Sequence, residues 1–193
     1  MNYKSLFCAL FLVLFSAAYA DTQPQFPAKG GTNPEVTIIS FSDFQCPYCS
    51  KSDATMNQLL SSYGDKVQLV FRNMPLASHK EAKSAAVAGY CASQQGKFWE
   101  MHDLLLKNSD QLGADLYLSL ASEIGLDTSK FQSCLSAEAS ANAINTDLAD
   151  ASALQIQAVP SFLLVSKTRS VKVTGALPVS EFQSKIDDLI SSP

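Results

Sequence analysis

The feature that most constrains this chain is a pair of cysteines placed where a strand gives way to a helix. Residues 36–41 form a β-branched and apolar run of strand length, which leads into the sequence Cys-Pro-Tyr-Cys at positions 46–49. Beyond the cysteines, apolar residues recur at helical spacing as far as Tyr63, and Gly64 is placed to end that helix. This succession predicts an α/β unit with both thiols at the start of its helix.

The rest of the chain divides into a helical block and a second set of strands. Alternating apolar residues predict a strand over 67–71, and residues from about 75 to 154 show five apolar helical stripes. Strand character returns over 160–165 and 171–173. Ser180 and Gln183 have the spacing of a capping box that opens a last helix. The order predicts an α/β core with a helical insertion between its second and third strands.

The N-terminus has the pattern of an export signal. Lys4 precedes an apolar run over residues 6–15, and Ala18-Tyr19-Ala20 has the small-x-small pattern of a cleavage site. The run is shorter than the about 20 apolar residues of a permanent membrane span, although a retained anchor is the alternative interpretation. We therefore expect a signal peptide over 1–20, whose cleavage removes Cys8, and a single domain over 21–193.

Charge and cysteine content restrict the function further. The net charge of the whole chain is −4, and the mature chain is one unit more negative because the signal contains Lys4 and no acidic residue. Such a chain is not expected to bind nucleic acid. Four cysteines remain after cleavage, at positions 46, 49, 91 and 134. An exported protein meets an oxidising compartment, where this even number permits two disulfides.

Two cysteines separated by two residues could bind metal, close a structural ring or exchange disulfides. A four-thiolate zinc site needs a second close pair, and attached haem needs a histidine directly after Cys49, where Ser50 stands. A redox dithiol is therefore favoured, with no metal and no bound cofactor. Backbone N–H groups and the helix dipole at a helix N-terminus stabilise a thiolate. We expect Cys46 to be the attacking sulfur and Cys49 the resolving sulfur.

Three segments resemble the DsbA-like family of thioredoxin-fold oxidoreductases. They are Ser42–Cys49, Tyr90–His102 and Gln157–Phe162, and they occur in the order found in that family. The resemblance implies a thioredoxin fold with a helical insertion. It also implies that Pro160 is the cis-proline that faces the redox pair, and that the backbone beside Val159 pairs with an extended substrate peptide.

Further expectations concern individual residues, and the first of them follows from the resemblance. Some family members have a structural disulfide like the one expected between Cys91 and Cys134, with a second redox pair or two free thiols as the alternatives. Phe44 and Tyr48 flank the redox pair and are expected to form an exposed apolar contact surface. His79 and His102 lack a partner at ligand spacing, so packing or surface roles are expected for them rather than metal binding.

One position departs from the pattern of thioredoxin-fold proteins. Many of them have a buried carboxylate six residues before the first cysteine, which is thought to move the proton of the resolving thiol. This chain has Ser40 there, and Asp43 is a second candidate for the proton or a simple turn residue. The sequence leaves the acceptor of the Cys49 proton open.

The expected function is disulfide donation to reduced, unfolded exported proteins, by a monomer in the periplasm or outside the cell. A membrane redox partner would reoxidise the pair. One alternative is the same site acting as a reductase or isomerase, because the direction depends on the reduction potential relative to the compartment. The other is a metal-binding protein of the same fold without turnover.

Overall fold

The computed structural model describes residues 27–191, and the predicted signal peptide at 1–20 lies outside them. The strands are β1 (Ala28–Gly30), β2 (Val36–Ser42), β3 (Val67–Asn73), β4 (Ser161–Val165) and β5 (Ser170–Thr174). The helices are α1 (Pro47–Tyr63), α2 (Ala82–Ser93), α3 (Phe98–Lys107), α4 (Ala114–Glu123), α5 (Thr128–Leu135), α6 (Glu138–Ala153) and α7 (Val179–Ser191). None of the helices in this part of the chain is long and apolar enough to cross a membrane.

The five strands form one sheet in the order β1-β3-β2-β4-β5. β2 and β3 are parallel, with Ile38 beside Leu69, and the other neighbours are antiparallel. The parallel pair requires a crossover connection, which is α1. The five helices α2–α6 then stand between β3 and β4. The predicted α/β class with a helical insertion between the second and third core strands is confirmed.

Apolar residues of the central strands, α1 and α7 form one core on a face of this sheet. Met56 and Leu59 of α1 and Phe182 and Ile186 of α7 are buried there against β2 and β4. A second core lies inside the helical insertion, where small residues of α2 allow close packing. Phe44, which precedes the cysteines, belongs to the insertion core, and Trp99 of α3 packs against both cores.

Two local expectations differ from the structure. The lead-in before Asn33, which has the composition of a flexible segment, contains the edge strand β1, which pairs with β3 through Ala28 and Val70. The capping-box prediction is also wrong, since α7 begins at Val179 and Ser180 lies inside its first turn. The N–H of Glu181 donates to the carbonyl of Pro178 at 3.1 Å, and the helix begins two residues earlier than a Ser180 N-cap would require.

Candidate active site

The end of β2 and the start of α1 place Cys46 at a helix N-terminus. Cys46 is the N-cap residue of α1, with extended backbone angles, and Pro47 is the first helical residue. Proline suits this position because an N–H at the first helical residue would have no acceptor within the helix, so its absence costs no hydrogen bond. No side chain forms a capping hydrogen bond at this end of α1. The helix dipole thus acts on a thiolate on Cys46. Of the first-turn N–H groups, Pro47 has none and that of Cys49 donates to the Cys46 carbonyl at 3.0 Å.

Cys49 lies one turn further along α1, beneath Cys46. Both thiols are free, with exposed fractions of 5% for Cys46 and 1% for Cys49. Burial raises the pKa of the Cys49 thiol to about 12, and the neighbouring Cys46 adds to the increase. Hydrogen bonds from Ser42 and from the backbone of Asp43 act in the opposite direction. Cys49 is therefore protonated at neutral pH and must exchange a proton whenever it forms or breaks a disulfide.

The carboxylate of Asp43 holds the turn that leads to the cysteines. One oxygen accepts the N–H of Gln45 at 2.7 Å, and the other accepts the N–H of Leu76 at 2.9 Å and contacts Nδ1 of His79 at 2.8 Å. The backbone N–H of Asp43 points to Cys49 Sγ at 3.4 Å. This geometry uses the carboxylate in the turn, and it presents the amide of Asp43, not its carboxylate, to the thiol.

The two aromatic residues that flank the cysteines are not placed alike. Tyr48 is 66% exposed, in agreement with a contact surface. The prediction of an exposed Phe44 is wrong, because its side chain is 1% exposed and stacks on Phe71 with ring centroids 5.2 Å apart. It also packs on α2, where a Cβ added to Gly89 would lie 3.3 Å from the Phe44 ring. Phe44 therefore anchors the dithiol turn in the insertion core.

Pro160 lies at the same end of the sheet as the dithiol. The bond between Val159 and Pro160 is cis, and β4 begins at the next residue, Ser161, which pairs with Phe41 near the end of β2. Pro160 is buried and Val159 is half-buried. The register thus brings Pro160 beside the end of β2 from which the chain turns toward Cys46.

Cys91 and Cys134 form a disulfide in the structure, and it links α2 to α5. Their Cα atoms are 5.7 Å apart and the two residues are separated by 43 positions in sequence. Ser140 of α6 contacts this bond, with its hydroxyl 3.3 Å from the sulfur of Cys134. The disulfide thus joins α2 to α5, and α6 contacts it through Ser140. All three helices belong to the insertion, far in sequence from the dithiol.

One of the two histidines lies unexpectedly close to the dithiol. His79 pairs with Asp43, as described above. His102 is 2% exposed on α3, and together with Asp53 of α1 it lines a small cavity beside Cys49. Among residues 27–191, no three His, Cys, Asp or Glu side chains gather as metal ligands would. Sequence reasoning did not find Asp53 or the closeness of His102 to Cys49, because both depend on how α3 packs on α1.

The fold and the dithiol define a thioredoxin-fold protein whose two vicinal thiols stand at a helix N-terminus beside a cis-proline. Residues 22–188 match the family model described as Thioredoxin. This match covers most of the chain, which therefore belongs to the thioredoxin family.

Solved structures agree with this assignment. A thioredoxin-like oxidoreductase from Silicibacter pomeroyi superposes with a TM-score of 0.75 and 28% identity, over 89% of this chain and 95% of that one. DsbA2 from Pseudomonas aeruginosa gives a TM-score of 0.74 at 23% identity, over 89% and 98% of the two chains. Alpha-DsbA1 from Wolbachia pipientis gives 0.76 at 21% identity, over 87% and 92%. The resemblance to DsbA-like proteins is confirmed at the level of the fold.

Two curated relatives are named as antiporters and are much longer than this chain. Na(+)/H(+) antiporter NhaA 3 of Salinispora tropica is 32% identical over 161 residues, which cover 81% of this chain and 24% of that protein. Na(+)/H(+) antiporter NhaA 1 of Salinispora arenicola is 33% identical over 137 residues, or 70% of this chain and 21% of that protein. The chain spans about a quarter of the length of these relatives.

Proposed function

We propose that this protein is a thiol–disulfide oxidoreductase that donates disulfides to exported proteins through Cys46 and Cys49. The observation that carries the proposal is the position of the two free thiols, with Cys46 at the N-cap of α1 and Cys49 buried beneath it. A thiolate at a helix N-terminus is a good leaving and attacking group, whereas the buried partner is protected from solvent reagents.

The reaction proceeds through a mixed disulfide. A substrate thiolate attacks Cys46 in the oxidised pair, and Cys49 leaves as a thiolate that takes up a proton. A second substrate thiol then displaces Cys46, so the substrate gains a disulfide and the enzyme pair receives two electrons. The cysteines carry these electrons themselves, so the step needs no bound cofactor.

Substrate peptides would lie across the end of the sheet where the dithiol opens. Pro160 and the backbone beside Val159 stand at this end, and an extended peptide can add there as a further strand. Tyr48 offers an exposed ring beside Cys46. Backbone pairing beside Val159 and contact with the Tyr48 ring depend little on the side chains of the substrate. This suits an enzyme that acts on many unfolded proteins.

The direction of exchange depends on the reduction potential of the pair relative to its compartment. A reductase or isomerase would use the same atoms with a more reducing potential.

We propose that the protein is exported with cleavage of residues 1–20 and acts as a monomer in the periplasm or outside the cell. A membrane partner then reoxidises the pair.

The roles of the two cysteines can be tested by substitution. Cys49→Ser should accumulate a mixed disulfide when its Cys46 thiolate attacks a disulfide of an unfolded protein substrate and expels a substrate thiolate, whereas Cys46→Ser should exchange nothing. Mass spectrometry after acid quenching identifies the trapped species, and the Cys91→Ala/Cys134→Ala variant is the control that keeps the dithiol. If Cys46→Ser forms the mixed disulfide and Cys49→Ser does not, the roles are reversed. If reduced protein binds copper or zinc and neither variant exchanges thiols, the enzymatic proposal is wrong.

A further inference from the structure

The structure offers a route for the Cys49 proton that does not use the position of Ser40. Ser40 of β2 and Leu69 of β3 both line the small cavity beside Cys49, so neither strand supplies an ionisable group there. The cavity has about 10 Å³ of space for the centre of a water-sized molecule, which corresponds to about one water. Besides Cys49, its ionisable lining residues are Asp53 of α1 and His102 of α3.

His102 is held in a fixed orientation toward this cavity. Its ring packs among aromatic side chains, with centroids 5.1 Å from Phe71 and 5.0 Å from Trp99. Nδ1 lies 2.8 Å from an oxygen of Asp103, the next residue on α3. Donation from Nδ1–H to this carboxylate leaves Nε2 as the acceptor of the neutral ring.

Asp53 faces the free nitrogen of His102 across a gap. The distance from Nε2 to Asp53 Oδ1 is 3.8 Å, which exceeds a direct hydrogen bond. The other oxygen of Asp53 accepts from the side chain of Asn57 at 2.8 Å and is held by it. A gap of this size beside a cavity with room for one water suits a bridging water that also reaches Cys49.

We propose that Asp53 and His102 form the proton relay of Cys49, acting through one water in this cavity. The proposal rests on the proposed function, since it concerns the proton of the resolving thiol. When Cys49 leaves as a thiolate during disulfide donation, His102 supplies a proton through the water, and Asp53 and Asp103 stabilise the ring while it is charged.

The same groups serve the reverse reaction. In a mixed disulfide between Cys46 and a substrate, the Cys49 thiol gives its proton to His102 through the water. The Cys49 sulfur then bonds to Cys46, and the bond between Cys46 and the substrate breaks, so the substrate leaves as a thiolate. No oxidant or further reactant enters, because the electron pair passes between sulfur atoms.

The geometry argues for this pair over Asp43. The Asp43 carboxylate already has three partners in its turn, and it meets Cys49 only through its backbone N–H. The charged groups around His102 are Asp53 from α1 and Asp103 from its own helix, with Lys29 above the neighbouring Trp99 ring at 4.3 Å. Protons can therefore reach bulk solvent through Asp53 and Asp103, which are both partly exposed.

The test follows the decay of a mixed disulfide as a function of pH. The reduced full-length protein is mixed with excess oxidised glutathione, so that Cys46 takes one glutathione and Cys49 then displaces it. Samples are quenched with acid at successive times, and the fraction with glutathione on Cys46 is measured by mass spectrometry. The variants are Asp53→Asn and His102→Gln. The matched control is Met56→Leu, which alters an apolar residue of the same cavity.

We expect both relay variants to resolve the mixed disulfide on the order of 100-fold more slowly at pH 7, the range of general acid–base catalysis. Their rates should rise about tenfold per pH unit and approach the wild-type rate near pH 9, whereas a packing defect would slow the reaction at every pH. Wild type and Met56→Leu should show a shallow profile between pH 6 and 8.

The outcomes separate this proposal from the one on which it rests. If Asp53→Asn, whose side chain reaches the surface, keeps the wild-type rate and profile while glutathione still adds to Cys46, the relay is wrong and the oxidoreductase stands. A steep wild-type profile of about tenfold per pH unit also overturns the relay, without any variant. If no mixed disulfide forms even in Cys49→Ser, the failure lies with the proposed function.

Discussion

The buried Cys49 thiol should make the folded, reduced protein sensitive to alkali. Its pKa in the folded state is raised from 9.0 to about 12, first of all by burial. Below pH 9 the thiol is protonated in both folded and unfolded chains, so its contribution to stability is fully present. Above pH 9 the unfolded chain releases the proton while the folded chain keeps it, and unfolding is favoured increasingly until the pH passes about 12.

The size of this effect follows from the difference between the two pKa values. Each unit of pH between them is worth about 1.4 kcal/mol, so a difference of about three units amounts to about 4 kcal/mol in total. At pH 10.5, about half of that range has been crossed, and the expected loss relative to pH 8 is about 2 kcal/mol. This free energy needs no reduction for solvent screening, because the Cys49 side chain is buried.

The measurement compares two variants that cannot form the active-site disulfide. Urea unfolding of Cys46→Ala and of Cys46→Ala/Cys49→Ala is recorded between pH 8 and 10.5. The difference in free energy of unfolding between them should shift by about 2 kcal/mol against the chain that retains Cys49. Tyr63, whose pKa burial also raises to about 12, is present in both and cancels. A difference that stays constant within about 0.5 kcal/mol would mean that solvent reaches the thiol, and the argument from burial would fail.

Two further predictions concern the second disulfide and the redox direction. Replacing Cys91 and Cys134 by alanine should lower the free energy of unfolding by about 4 kcal/mol, as the chain-entropy model gives for their separation of 43 residues, with disulfide exchange at the dithiol unchanged. Urea unfolding measures this loss, and one below about 1 kcal/mol would contradict the model. Tyr48→His should make the pair more oxidising, since a cation beside Cys46 stabilises the reduced form, by roughly 30 mV for each 1.4 kcal/mol. Equilibration with glutathione measures the shift against Tyr48→Phe, and a more reducing Tyr48→His would contradict this account.

The parts of the fold that local sequence determines were predictable. Pro47 and Gly64 bound α1 as their backbone preferences require, and the Cys46 N-cap follows from the position of Pro47. The five apolar stripes between 75 and 154 correspond to α2–α6. The short strand β1 was not predictable, because three residues have no period of their own and are ordered only by the edge of β3.

The parts of the site that depend on packing between distant segments were not predictable. Phe44 has the sequence setting of an exposed residue beside a reactive thiol, and only the close approach of Gly89 on α2 shows why it is buried. Likewise, the sequence gives no reason to place His102 beside Cys49. Cys49 and His102 each lie on a helix with an evident apolar face. The rotation of these two helices and their approach to each other decide which of their polar residues meet.

These packing contacts give the helical insertion a part in the chemistry. The turn before Cys46 is held from the insertion side, since Gln45 accepts the N–H of Glu81 at 2.8 Å and Asp43 accepts that of Leu76. Phe44, between them, is buried in the insertion core. Three consecutive residues thus fix the turn, so the N-terminus of α1 can remain without a capping side chain. Because that end is left open, the helix dipole can act on Cys46, while His102 of α3 lines the small cavity beside Cys49. The insertion therefore sets the geometry of both sulfurs, although neither belongs to it.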